Sequence, residues 1–128
     1  MDKEYISFEG KRLRVHRYKS QIFVIDKDLA EFFDVTLKYL VFITNVNKKY
    51  MAAGNCQKVS GKILDYIKQC DNTVIKSYYV YNFDGIIEMA FKIRKSKIAS
   101  KLSVWVVRTL SKECKFDIFE ILKNMSDM

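Results

Sequence analysis

The chain has 128 residues, 49% hydrophobic and 14% aromatic, and carries a formal net charge of +8. This length and composition predict a single packed domain over residues 1–128, with two small lobes sharing a core as the alternative. The content of 4 glycines and 0 prolines argues against a disordered linker. No apolar run reaches the roughly 18 residues of a membrane span, and residues 1–19 lack the apolar stretch of a secretory signal. We therefore expect an intracellular protein without a membrane partner.

The N-terminal part of the chain predicts a small antiparallel sheet. Apolar and polar residues alternate, or β-branched residues cluster, at residues 5–8, 13–18 and 22–25. Gly10 and Lys11 indicate a turn between the first two of these strands.

Residues 22–40, IFVIDKDLAEFFDVTLKYL, predict a strand followed by two short helices at about 28–33 and 36–46. Asp26 is expected to cap the first helix and Thr36 the second. This pattern is typical of a helix-turn-helix, whose second helix can enter a major groove.

Two features of this segment bear on that interpretation. Asp34 occupies the turn position where many such units have glycine, and aspartate tolerates the left-handed backbone conformation better than most residues. The second helix is also apolar around much of its circumference, with Tyr39, Phe42 and Ile43 added to its buried side. The alternative is therefore that both helices serve only the core.

The rest of the chain alternates between turns, one strand and several helices. Residues 48–60 are polar and turn-rich, residues 62–69 predict a short helix or an irregular segment, and residues 74–81 predict a strand. Asn82 or Asp84 can cap a helix through residue 93, and Ser96 can cap the longest helix, to about residue 112.

Apolar residues in that longest helix lie three and four positions apart, at Ile98, Leu102, Trp105, Val106 and Leu110. A terminal amphipathic helix is predicted at 116–125. The predicted fold class is α+β: a small N-terminal antiparallel sheet, a helix-turn-helix-like pair and a C-terminal helical subdomain.

Few residues suggest catalysis or metal binding. Cys56, Cys70 and Cys114 are widely spaced, form no CxxC pair and are expected to be reduced thiols. His16 is the sole histidine, so a zinc site or a histidine-based catalytic pair would need residues from distant segments. We therefore predict no enzyme activity, no metal and no cofactor.

Basic residues cluster in two parts of the chain. Residues 92–101, KIRKSKIASK, hold five lysines and arginines without an acid, and residues 11–19 hold five more. Such clusters favour contact with nucleic-acid phosphates, although a solvated basic surface is the alternative. The candidate phosphate contacts are Arg14, Arg17, Lys48, Lys49, Arg94, Lys95, Lys97 and Lys101. The candidate base contacts, in or just after the second helix of the pair, are Thr36, Lys38, Tyr39, Asn45 and Asn47.

Two blocks of the sequence contain extended residue patterns. The first, residues 21–60, contains a D-x-A-x-x-[FLY]-x-V pattern and then an asparagine-rich basic stretch ending near an aromatic residue. The residues that form this pattern are Asp28, Ala30, Phe33, Val35, Asn45, Asn47, Lys48, Lys49 and Tyr50. This block resembles the N-terminal domains of phage antirepressor-type proteins, which include the phage ORF-six N-terminal domain and its relatives in the Bro-N and KilA-N group.

The second block, residues 78–113, resembles the matching region of Bro-N domains and of RhuM proteins. There a Y-N-x-D-x-I-I entry precedes a basic turn and a helix with a tryptophan and a basic residue. The matching residues are Tyr81, Asn82, Asp84, Ile86, Ile87, Trp105 and Arg108. The resemblance as a whole covers about residues 11–113.

The resemblance implies a DNA-binding or regulatory module of a phage, a large DNA virus or a mobile element. One hypothesis is a module that binds double-stranded DNA, with a homodimer supplying a second half-site. The resemblance also implies a location: the host cytoplasm or nucleoid for a phage protein, and the nucleus or a viral factory for a protein of a eukaryotic virus.

The other hypothesis is a small interaction protein that binds and inhibits a host or repressor protein, such as a nucleic-acid enzyme. Tyr39, Phe42 and Ile43 would then form the docking surface, and positive charge would steer it to an acidic partner.

Overall fold

The computed structural model describes residues 4–59, 61–70 and 79–113, and these form an α+β fold. The strands are β1 (Glu4–Phe8), β2 (Lys11–Tyr18), β3 (Gln21–Ile25), β4 (Cys56–Lys58) and β5 (Tyr79–Tyr81). The helices are α1 (Asp26–Phe32), α2 (Leu37–Asn47), α3 (Gly61–Cys70), α4 (Phe83–Lys92) and α5 (Lys97–Glu113). A single 3₁₀ turn, Lys48–Tyr50, continues α2.

Two tight turns join the first three strands into an antiparallel meander. Glu9 and Gly10 connect β1 to β2 with φ angles of 53° and 78°, and Lys19 and Ser20 connect β2 to β3 with 50° and 66°. Positive φ at both central residues matches the right-handed twist of a hairpin. The predicted N-terminal sheet is therefore confirmed, and its turns determine the register of its strands.

The sheet continues beyond the meander in the order β1-β2-β3-β5-β4, with every neighbouring pair antiparallel. β5 pairs with β3 through Ile25 and Val80, and β4 pairs with β5 through Gln57 and Val80. The strand predicted at 74–81 is described only from Tyr79 onward, and the sequence did not predict β4.

Side chains from the two faces of the sheet enter two separate hydrophobic clusters. Val24 and Tyr81 point into the larger cluster, which also takes buried side chains from α1, α2, α4 and α5. Phe23 and Val80 point to the opposite face, where they pack against Ile67 of α3. Because successive side chains of a strand alternate between faces, α2 and α3 lie on opposite sides of the sheet.

Three of the predicted helix caps are present. The side-chain oxygen of Thr36 accepts a hydrogen bond from the Tyr39 amide (3.1 Å), and that of Ser96 accepts from the Ala99 amide (3.0 Å). Asn82 caps α4 by accepting from the Gly85 amide at 2.8 Å. Each bond satisfies one of the donors that a helix leaves unpaired in its first turn.

The prediction that Asp26 caps α1 was wrong. Ile25 is the residue at the cap position, and Asp26 is already the first residue of the helix. Its carboxylate is fully buried and accepts a hydrogen bond from the Tyr79 amide at 3.0 Å. Because β3 runs into α1 without an intervening turn, this carboxylate faces the neighbouring strand β5 and links α1 to it.

A close backbone contact joins the β4 region to the start of α4. The Asn55 carbonyl accepts from the Asn82 amide (3.2 Å), and the Asn55 side chain donates to Glu88 of α4 (3.0 Å). A Cβ atom on Gly85 would lie 2.0 Å from the Asn55 carbonyl oxygen. Only glycine fits at this point, because a non-bonded carbon atom does not approach a backbone oxygen this closely.

Helices α4 and α5 share the larger cluster with the sheet. Ile98 and Val106 of α5 are buried, whereas Trp105 and Leu110 are each 52% exposed. The apolar spacing of α5 thus predicted more burial than the described residues supply. The predicted helix at 116–125 lies outside the described residues, and no helix among those described has the length and apolar content to cross a membrane.

Candidate nucleic-acid interface

A four-residue connection, residues 33–36, joins α1 to α2. Asp34 adopts a φ of 56°, the left-handed conformation expected of it. The amide of Val35 donates to the Ala30 carbonyl (3.0 Å), and that of Phe33 donates to Leu29 (3.0 Å). The predicted helix-turn-helix-like pair is therefore present as a structural unit.

The inner side of α2 is tied to the sheet by buried polar contacts. Leu40 and Thr44 are fully buried, and the Thr44 hydroxyl donates to the Leu40 carbonyl at 2.9 Å. The same hydroxyl lies 2.7 Å from the hydroxyl of Tyr81. In a part-buried contact, the Tyr79 hydroxyl donates to the side-chain oxygen of Asn45, an exposed residue of α2. Burial raises the pKa of Tyr81, because its phenolate would be poorly solvated there.

The opposite side of α2 projects into solvent. Phe42 is 61% exposed, Val46 52% and Tyr50 72%, and Lys38 and Lys49 are also exposed. These positions lie three or four residues apart, so they share one side of α2 and its 3₁₀ continuation. Residues 37–50 include no aspartate or glutamate. We call these five side chains the outer face of α2.

Two lysines lie beside aromatic rings at this helix, one from a distant turn and one from the 3₁₀ turn that continues α2. The ammonium group of Lys95, in the turn between α4 and α5, is 4.8 Å from the centre of the Tyr39 ring. Lys49 is 5.0 Å from the ring centre of Tyr50. Such cation–π contacts hold lysines near a surface without neutralising their charge. The turn between α4 and α5 is therefore adjacent to α2.

Most of the predicted base contacts are engaged within the protein. The Thr36 oxygen caps α2, the Asn45 oxygen accepts from Tyr79, and the Asn47 amide donates to the Ile43 carbonyl at 2.8 Å. Tyr39 is half-buried against the larger cluster, and Lys38 is exposed. Thr36 and Asn45 are exposed as well, so three of the five predicted residues lie at the surface, two of them with a side-chain oxygen already bonded within the protein.

The predicted phosphate contacts divide into two groups. Arg17 pairs with Glu4 (2.7 Å), and Lys101 lies 3.7 Å from Glu9, so these two bases are balanced by acids of the β1 strand and its turn. Arg14 lines a cleft between the β1–β2 hairpin and α1. The candidates on or near α2, or flanking the Lys95 turn, are Lys48, Lys49, Arg94, Lys95 and Lys97.

The predicted docking residues also differ in exposure. Phe42 is exposed, whereas Tyr39 and Ile43 are half-buried and pack against the larger cluster. Sequence reasoning did not single out Val46 and Tyr50 as exposed. Their spacing of four and eight residues from Phe42 was the available signal, because it keeps all three on one side of a helix.

Two of the described residues with potential for covalent or acid–base chemistry, Cys56 and His16, are half-buried and buried, respectively. Burial raises the pKa of the Cys56 thiol from 9.0 to about 11, so it is a weak nucleophile near neutral pH. His16 is 4% exposed, and its ring stacks on Phe23 with centres 5.4 Å apart. Among the described residues, no group of three histidine, cysteine, aspartate or glutamate side chains is arranged to hold a metal ion.

A scan against protein-family models, a search of curated proteins and a search of solved structures each found no match to this chain.

Proposed function

We propose that this protein is a DNA-binding regulatory module and that the outer face of α2, together with the turn between α4 and α5, forms its contact surface. The observation that carries the proposal is that three exposed lysines lie on or beside α2, in two stretches of sequence, residues 37–50 and 92–101, that contain no aspartate or glutamate. Lys38 belongs to α2, Lys49 to the 3₁₀ turn and Lys95 to a turn more than 40 residues further along the chain.

The charge of this surface suits a phosphate backbone. Lysine side chains supply most sequence-independent attraction to nucleic acids, and each neutralised phosphate releases counterions. A net charge of +8 adds long-range steering of a polyanion. Arg94 and Lys97, exposed on either side of Lys95, extend the basic surface.

The sequence resemblance to phage antirepressor-type domains supports the same proposal. On this basis the protein acts in the host cytoplasm or nucleoid if a phage encodes it, and in the nucleus or a viral factory if a eukaryotic virus does. A homodimer would give two copies of the surface and hence two half-sites.

Fluorescence anisotropy with a labelled 30-mer duplex and with its separated strand, at low and moderate salt, tests the proposal. We expect binding that weakens as salt rises, and we expect Lys38→Glu with Lys95→Glu to lower both the affinity and the salt slope. The matched control is Lys68→Glu with Lys62→Glu, because both lysines are exposed on α3, across the sheet.

Two results would contradict the proposal. If neither the duplex nor the separated strand bound at low salt, the proposed DNA-binding function would be wrong. If the lysine variants of α2 and those of α3 lost equal DNA affinity, the attraction would come from overall charge, and the proposed contact surface would be wrong.

A second candidate function is that of an interaction protein that docks on an acidic protein partner. The observation that favours it is the exposed apolar pair of Phe42 and Val46, one helical turn apart. It predicts feeble DNA binding and a protein complex that Phe42→Asp abolishes without unfolding the chain. Circular dichroism of Phe42→Asp, followed by a pull-down with the wild-type and variant chains, distinguishes this function from DNA binding.

A further inference from the structure

We propose that the outer face of α2 binds the unpaired bases of a single-stranded nucleic acid in preference to a duplex. This inference rests on the proposed function, since it concerns the same surface, and it specifies the form of the ligand. Three observations carry it: the exposed aromatic rings, the engagement of the polar side chains and the position of the lysines.

The first observation is that the aromatic side chains are exposed on one side of the helix. Phe42 and Tyr50 are 61% and 72% exposed, and Val46 lies between them. Because α2 ends at Asn47 and the 3₁₀ turn continues to Tyr50, the Cα atoms of Phe42 and Tyr50 lie about 13 Å apart along the axis. An aromatic ring stacks on any unpaired base, because every base has a π-face.

The second observation is that the two asparagines of α2 are already hydrogen-bonded within the protein. Reading in a major groove uses side chains such as asparagine, which bonds adenine through both its oxygen and its nitrogen. Here the Asn45 oxygen is bonded by Tyr79 and the Asn47 amide by the Ile43 carbonyl. Each asparagine therefore already has one of its two polar groups bonded within the protein, and that bond restricts how its amide can turn toward a base edge.

A duplex would gain little from the aromatic residues. Bases in a duplex are already stacked on their neighbours, so Phe42 or Tyr50 could reach a π-face only after a base step had been unstacked. In a single strand that cost is small. The exposed rings therefore favour the unpaired strand.

The third observation is that charge and rings alternate along the surface. Lys38 precedes Phe42 by one helical turn, and Lys49 lies 5.0 Å from the ring centre of Tyr50. Each base that stacks on a ring therefore has a cation close to its own phosphate. This is the combination by which proteins hold single strands without sequence preference.

The experiment compares a labelled mixed-sequence 30-mer with the duplex made from it, by anisotropy at one salt concentration. We expect the single strand to bind about tenfold more tightly, and Phe42→Ala or Tyr50→Ala to weaken it by about 5- to 100-fold. The same variants should change duplex affinity by no more than about twofold, because a duplex offers them no free base to stack on.

Two further variants make the test specific to aromatic stacking. Phe42→Leu keeps an apolar side chain without a ring, and we expect it to lose most of the single-strand affinity that Phe42→Ala loses. Phe83→Ala is the matched control, because Phe83 is 55% exposed at the start of α4, in a cleft with Ile22 and Ile63. Circular dichroism checks that each variant is folded.

The outcomes separate this inference from the proposed function. Duplex binding as tight as single-strand binding, or unchanged single-strand affinity in Phe42→Ala and Tyr50→Ala, would overturn the inference and leave DNA binding standing. An equal loss in Phe83→Ala would also overturn it. Absence of binding to both forms at low salt would remove the proposed function and this inference with it.

Discussion

The two sides of α2 differ in almost every physical property. The inner side consists of Leu40 and Thr44, both fully buried, and the Thr44 hydroxyl lies within hydrogen-bond distance of the Tyr81 hydroxyl of β5. The outer face carries Phe42 and Val46 more than half exposed, with lysines at both ends. The inner side of α2 therefore stabilises the fold, whereas the exposed residues of its outer face contribute little to stability.

This difference teaches that exposure of apolar residues on α2 is not a consequence of poor packing. The inner side is fully packed and its threonine is hydrogen-bonded, so the helix position is fixed independently of Phe42. Substitutions on the two sides should thus affect different measurements: stability on the inner side and binding on the outer face.

The largest effect is expected for Leu40→Ala on the inner side. Removing a fully buried leucine loses transfer free energy and leaves a cavity, which typically costs about 2–5 kcal/mol of unfolding free energy. Chemical denaturation monitored by circular dichroism measures the change. A loss below about 1 kcal/mol would mean that α2 is held far less firmly than its burial indicates.

Alkaline pH is expected to lower the free energy of unfolding by an intermediate amount. Burial raises the pKa of Cys56 to about 11 and also raises the pKa of Tyr81, so the folded protein keeps both groups neutral where the unfolded chain ionises them. Stability should be intact below about pH 9, near the unfolded pKa of cysteine, and should fall as pH rises through about 11.

Urea unfolding of the wild-type chain and of Tyr81→Phe, at several pH values, measures this loss. The variant lacks the Thr44 contact and should be less stable at neutral pH by about 1 kcal/mol. Its stability should then decline less steeply above pH 10, because the ionisable phenol is gone. Equal slopes for the two proteins would show that Tyr81 does not contribute.

The smallest effect on stability is expected for Phe42→Ala. Phe42 is 61% exposed, and surface substitutions usually change the unfolding free energy by no more than about 0.5 kcal/mol. The same denaturation experiment measures it beside Leu40→Ala. A loss comparable to that of Leu40→Ala would end the distinction between the two sides and make Phe42 part of the core.

The elements of this fold that depend on local sequence were predictable. Thr36, Asn82 and Ser96 cap their helices as predicted, because a cap bond reaches only three residues along the chain. The first three strands were equally visible, since each is long enough to show alternation and the turns between them are short.

The elements that depend on distant partners were not predictable. β4 has three residues and exists through its pairing with β5, which no local pattern reveals. Asp26 suits a cap by type, yet its position in the helix and the Tyr79 amide, 53 residues away, determine its role.

The candidate site was predictable in position but not in chemistry. The sequence singled out α2 and the Lys95 turn, and the structure brings these two together at Tyr39. The sequence suggested Asn45 as a base contact. In the structure its side-chain oxygen accepts a hydrogen bond from the hydroxyl of Tyr79, 34 residues away. Which polar side chains remain available is a property of tertiary contacts, and sequence alone does not contain it.

The strand order of the sheet affects when the outer face of α2 forms during folding. β3 is followed in the sheet by β5, so pairing Ile25 with Val80 closes a loop of about 55 residues, a slow step compared with forming the β1–β3 hairpins. The tyrosines that hold α2 belong to β5. We therefore expect the outer face to acquire its fixed position late in folding, when the most distant strand has paired.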